Sequence, residues 1–179
     1  MSSPAVFYFD LASPLAYLAA ERLPRVFADV PVTWQPVLAR ELPDATTADM
    51  SEVERLAFEH DLQPLRWPHP YPFDSTLAMR AATYAASIGR AVAFAQAAFR
   101  QAYAGGRSLA EVDTVLIAAA ACEMHPTAVL TAAELRSTRE RLTAATAAAV
   151  ELGVSDVPAL RIEGSVLVGA RALERVVDA

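Results

Sequence analysis

The reading of the fold turns on residues 7–23, FYFDLASPLAYLAAERL. Residues 5–10, AVFYFD, are short, aromatic and β-branched, which predicts a buried strand ending at Asp10. Ser13 suits the N-cap of a helix and Pro14 its first position, where a missing N–H costs nothing. The Ala/Leu-rich run predicts a helix to about Phe27, kinked or ended by Pro24. A strand that turns at once into a helix exposes free N–H groups and the positive end of the helix dipole, a place suited to an anion. Ser13 is therefore read in two ways, as a plain cap or as a cap that also serves a ligand.

Outward from this unit, VPVTWQPV (30–37) predicts a second strand whose prolines place it at an edge or confine them to strand ends. Residues 38–47 read as loop. Ser51 with Glu54 three residues on gives a capping-box pattern. QPLRWPHPYPFD (63–74) holds four prolines and cannot form regular helix. From Ser75 to about Gly153 the chain reads as helix, broken at Gly89, at Gly105-Gly106 and at His125-Pro126. Two short strands, VPALRIEG and SVLVG, then meet at a Glu163-Gly164 turn, and ARALERVVDA closes the chain as a helix. The predicted class is α/β, a thioredoxin-like βαβ…ββα frame in one domain over residues 1–179, with a long all-helical insertion at about 40–130. A helical bundle would leave four strand-like runs without a role.

The 179 residues carry a net charge of −6 and 54% hydrophobic residues, much of it alanine. Basic residues are scattered, which argues against a nucleic-acid partner. No stretch predicts a membrane span, and MSSPAVFYF lacks the positive start of a leader. Lysine and asparagine are absent, so a lysine base or Schiff-base nucleophile is excluded. Cys122 is the single cysteine, which rules out an intrachain disulfide and fits a reducing cytoplasm. His60, His69 and His125 show no metal-ligand spacing, so no metal is expected. His60 reads as a helix-surface residue, His125 as a helix terminator and Cys122 as a small core residue.

Val157-Pro158 stands immediately before a predicted strand, where thioredoxin-like folds keep a cis-proline facing the first βα turn. Redox members carry CxxC at that turn; here the four residues are Ser13, Pro14, Leu15 and Ala16. Without a thiol, dithiol–disulfide exchange at this site is excluded chemically. A thiolate brought by a ligand would be stabilised there as a protein cysteine is.

FYFDLASPLAYLA, GVSDVPALRIEG and LVGARALERV together resemble the branch of DsbA-like proteins that holds 2-hydroxychromene-2-carboxylate isomerases and kappa-class glutathione transferases. The resemblance implies a glutathione site. Ser13 would meet the thiol, Pro14 would shape the turn, and the tripeptide backbone would pair with Val157 before Pro158. Gly169, Ala170 and Arg171 would lie at the γ-glutamyl end. It also implies an isomerase in which the thiolate adds to a conjugated carbon, a bond rotates and the thiol is returned. Asp10, Trp67, His69 and Tyr71 are the candidates for the substrate cleft. A homodimer is expected on the same ground. Three departures stand out: Arg171 where the family has Asp, Asp156 where Gly is usual, and Pro70 where an isomerase-like Asn is expected. Two further readings stay open: a kappa-like transferase that consumes the thiol, and a non-catalytic module binding another thiol or a peptide.

Overall fold

The computed structural model describes residues 4–28 and 30–177. Strand β1 (Ala5–Phe9) leads into helix α1 (Pro14–Val26) and strand β2 (Val32–Pro36). Six helices follow: α2 (Met50–Glu59), α3 (Thr76–Ser87), α4 (Ala91–Tyr103), α5 (Val112–Ala121), α6 (Pro126–Glu134) and α7 (Arg136–Glu151). Strands β3 (Ala159–Ile162) and β4 (Ser165–Val168) and helix α8 (Ala172–Val177) complete the order. The last two residues of the expected final helix lie outside the described residues.

The four strands form one sheet in the order β2-β1-β3-β4. β1 pairs parallel with β2 and antiparallel with β3, which pairs antiparallel with β4. β2 is an edge, and Pro31 and Pro36 flank or end it as their missing N–H groups require. Successive side chains of β1 point to opposite faces. Phe7 and Phe9 therefore enter the larger core with α1, α3 and α4, while Val6 and Tyr8 enter a smaller one with Val154, Val157 and Ala159. Glu163 and Gly164 form the β3–β4 turn with φ of 49° and 87°; glycine accepts that left-handed backbone without steric cost.

Pro24 lies within α1, two residues before its end at Val26. The expected breaks at Gly89, Gly105-Gly106 and His125-Pro126 separate helices as anticipated. One more break, at Leu135, has extended backbone (φ −61°, ψ 135°) and no side-chain cap, and no glycine or proline announces it.

Three local readings are corrected. α2 is capped by Asp49, which accepts the Glu52 N–H at 3.0 Å, not by Ser51. Glu54 instead accepts a hydrogen bond from the Trp67 indole N–H at 2.7 Å, tying α2 to the proline-rich loop. Asp49→Ala is expected to destabilise the chain by about 1 kcal/mol, whereas Ser51→Ala leaves stability nearly unchanged; urea midpoints of the two variants check this. His125 does not end a helix: it is the N-cap of α6, its Nδ1 accepting the Thr127 N–H at 3.3 Å. His60 is no plain surface residue. It caps the C-terminus of α2, and its Nε2 lies 2.9 Å from Glu174 on α8, which also pairs with Arg22 of α1. Cys122 is buried at the end of α5, where burial pushes its thiol pKa up, as suits an inert core residue.

Candidate active site

Ser13 is the N-cap of α1. Its Oγ accepts the Ala16 N–H at 3.1 Å, and its own N–H donates to the Asp10 carbonyl at 3.0 Å. A serine hydroxyl has one donor and two acceptor positions. Capping uses an acceptor, so the hydroxyl hydrogen remains available to an outside group. Pro14 has no N–H and Ala16 is already used, which leaves the Leu15 N–H without an intrahelical partner. The first turn of α1 contains no acidic residue, so no carboxylate neutralises the positive end of the dipole. The turn thus presents two donors and a positive potential, and no nucleophile of its own.

These donors face a cleft of about 370 Å³. One wall is Ala12–Leu15, a second is the segment after β2 with Ala39, Arg40 and Ala45–Ala48, and Tyr71-Pro72 and Asp156-Val157 complete it. The walls are braced from beneath by Asp10. This carboxylate is 2% exposed and accepts two N–H groups at 2.9 Å, Ala12 of the first wall on Oδ1 and Ala39 of the second on Oδ2. Burial raises its pKa, against the opposing effect of hydrogen bonds from Ala12, Ala39 and Ser75 and of the nearby Arg40 charge. Leu11 is held from both sides: its N–H donates to the Met79 sulfur at 3.2 Å and its carbonyl accepts from the Tyr103 hydroxyl at 3.3 Å.

Two charges stand in the cleft wall. Arg40 is fixed by Thr76 Oγ1 at 2.6 Å and Asp74 at 3.3 Å. Asp156 accepts the Val157 N–H on Oδ1 at 2.8 Å and the Thr46 hydroxyl on Oδ2 at 2.9 Å. Burial raises the Asp156 pKa, the Val157 and Thr46 hydrogen bonds oppose this, and the like charge of Asp44 adds to it.

Of the anticipated residues, Ser13, Pro14, Val157 and Tyr71 meet at this cleft. The Val157–Pro158 peptide is cis, as are His69–Pro70 and Tyr71–Pro72. Three cleft expectations are corrected. Asp10 is sealed beneath the turn. Trp67 packs on Tyr71 at 4.8 Å with the rings tilted by 58°, and meets Tyr103 edge-to-face at 6.2 Å, so it backs the wall without lining it. His69 is exposed and does not line the cleft. Pro158, Gly169, Ala170 and Arg171 also lie off its lining; the Gly169 N–H donates to the Pro158 carbonyl at 2.9 Å, and Arg171 is exposed. The residues missed were Arg40 and Thr46–Ala48. The available signal was their position in a loop following the C-terminal end of β2, where open sheets bind ligands. Among the described residues no cluster of His, Cys, Asp or Glu is arranged to hold a metal, and no helix is long and apolar enough to cross a membrane.

The chain is similar to the solved structure of a 2-hydroxychromene-2-carboxylate isomerase, at 18% identity and a TM-score of 0.85, over 98% of this chain and 93% of that one. It is similar to a probable DsbA oxidoreductase from Streptomyces coelicolor at 16% identity and a TM-score of 0.78, covering 99% and 88%. It is also similar to the cytosolic disulfide reductase DsbM from Pseudomonas aeruginosa, determined with GSH, at 17% identity and a TM-score of 0.73, covering 98% and 95%. No curated protein matches it. At these identities the likenesses speak for the fold. The model of the DsbA-like thioredoxin domain matches residues 5–179, and the chain belongs to that family.

Proposed function

We propose that this chain is a thiol-assisted isomerase of the 2-hydroxychromene-2-carboxylate isomerase type, acting on an aromatic or dienoate substrate with glutathione as the first candidate thiol. The observation that carries the reading is Ser13, an N-cap whose hydroxyl hydrogen stays free at the unneutralised end of α1 and on the wall of a cleft. A bound thiol supplies a sulfur nucleophile that adds to a conjugated carbon and leaves again after bond rotation. Ser13 and the Leu15 N–H hold its charge without reacting. Arg40, pinned by Thr76 and Asp74, faces the same space and offers its free guanidinium nitrogens to a substrate carboxylate. Tyr71, whose hydroxyl is spent on the Ala48 carbonyl, offers its ring.

The sulfur end of glutathione fits this site. Its peptide end fits less well, because Asp156 already occupies the Val157 N–H. That observation favours a second reading within the same chemistry, in which another low-molecular-weight thiol serves.

The test is to supply 2-hydroxychromene-2-carboxylate with a small, sub-stoichiometric amount of glutathione. The ring-opened isomer is followed by absorbance and free thiol by titration. The expected result is many turnovers per thiol, with the thiol returned. One thiol lost per product would make it a transferase. Insulin reduction is expected to stay at the uncatalysed rate, since Ser13 stands at the attacking position and the Cys122 thiol is buried. Accelerated insulin reduction would overturn the isomerase reading.

A further inference from the structure

The segment Ser155–Val157 stands just before β3, and its Asp156 and Val157 line the cleft. A peptide-type ligand binds a backbone edge by strand addition, with main-chain N–H and carbonyl groups pairing across the gap. In this chain that edge is covered. Asp156 folds its Oδ1 onto the Val157 N–H at 2.8 Å, and Thr46 holds the other oxygen at 2.9 Å. The loop behind Thr46 is latched to the same segment, since the Asp44 N–H donates to the Ser155 carbonyl at 2.9 Å. Asp156 is therefore gripped at both oxygens, and one grip is the group a peptide would need.

We propose that Asp156 is a specificity-determining residue that closes the Val157 edge to peptide thiols and turns the cleft toward thiols without an extended peptide arm. The inference rests on the thiol site read at Ser13. Such a thiol places its sulfur at the α1 N-terminus and meets the Thr46 and Thr47 side and the outer face of the Asp156 carboxylate with hydroxyl or ammonium donors. A peptide thiol has to displace Asp156 from Val157 first, and glutathione, itself anionic, also approaches a carboxylate of its own sign.

Two substitutions separate covering from charge. Asp156→Ala removes the acceptor and exposes the Val157 N–H. Asp156→Asn removes the charge but keeps an oxygen that can cover it. Glutathione affinity is measured by calorimetry on wild type and both variants, and Val157 amide hydrogen exchange is followed alongside. The expected result is glutathione binding about tenfold tighter in Asp156→Ala, the value of one recovered hydrogen bond, with Asp156→Asn close to wild type. Val157 exchange is expected to be slow in wild type and Asp156→Asn and fast in Asp156→Ala. Equal glutathione affinity in wild type and Asp156→Ala overturns this inference alone. An equal gain in both variants also overturns it, since charge then acts without covering. Failure of glutathione to bind all three forms overturns it together with the thiol site.

Discussion

Ser13→Ala is expected to lower the thiol-dependent isomerisation rate about 100-fold, the usual scale for losing one donor aimed at a developing or resident anion. Its kinetic signature is more telling than its size. A bound thiol deprived of the Ser13 hydroxyl holds its proton to higher pH, so the rising limb of the pH–rate profile moves upward. The same substitution removes the Ala16 N–H cap and costs about 1 kcal/mol of stability. The two effects separate with Ser13→Thr, which retains a hydroxyl able to cap and to donate. Threonine is expected to restore both stability and the position of the pH profile. If Ser13→Ala loses the stability increment while rate and pH profile stay as in wild type, Ser13 is a cap and nothing more.

Asp10→Ala is expected to be the more damaging change to the folded state. It takes the acceptor from two half-buried N–H groups, Ala12 and Ala39, at roughly 2 kcal/mol for the pair. Because those groups belong to opposite walls, the cleft opens as stability falls, and glutathione affinity drops with it. The acid also leaves a mark on the pH dependence. Its folded pKa is raised from the ordinary 3.8, so the folded chain binds the proton more tightly than the unfolded chain. Asp10 therefore favours folding most at low pH, and that contribution declines as pH rises from 3.8 toward the folded value. Urea unfolding of wild type and Asp10→Ala between pH 3.5 and pH 7, on the order of half-unit steps, reads the difference directly. The stability gap is expected to narrow as pH rises; the raised Asp156 carboxyl acts in both chains and cancels. A gap that widens with pH would mean that hydrogen bonding, not burial, dominates at Asp10.

The frame of the fold was legible because its signals are local. β1 and the Ser13-Pro14 cap follow from a buried strand and a fixed φ, and the Glu163-Gly164 turn from backbone that glycine tolerates. The helix breaks at glycine and proline are of the same kind. What escaped was set by partners distant in the chain. Asp49 and Ser51 are equally good caps by type, and the choice between them depends on where the loop enters α2. His60 looked solvated because Glu174, its partner, lies 114 residues away (174 minus 60). At the site, Ser13 is readable from its element, whereas Val157 is suggested only by the family resemblance. Arg40 is not readable, because nothing in a loop sequence says which of its side chains Thr76 and Asp74 will hold against a cleft. Trp67 and His69 are suggested by residue type alone, and of that stretch only Tyr71 and Pro72 line the wall.

The helices between β2 and β3 meet through methyl groups. Ala78, Ala81, Ala82 and Ala85 of α3 are wholly buried where that helix packs on α4, α6 and α7. A contact made of alanines lets backbones approach closely and has no spare rotamer with which to absorb a larger residue. An added methylene there must displace a helix, and the neighbours of α3 move with it. The adaptable surface is elsewhere, in the exposed loop residues Ala45, Thr46 and Thr47, which line the cleft. Changes of ligand preference in laboratory evolution should therefore accumulate in that loop and at Asp156, while the alanines of α3 stay as they are.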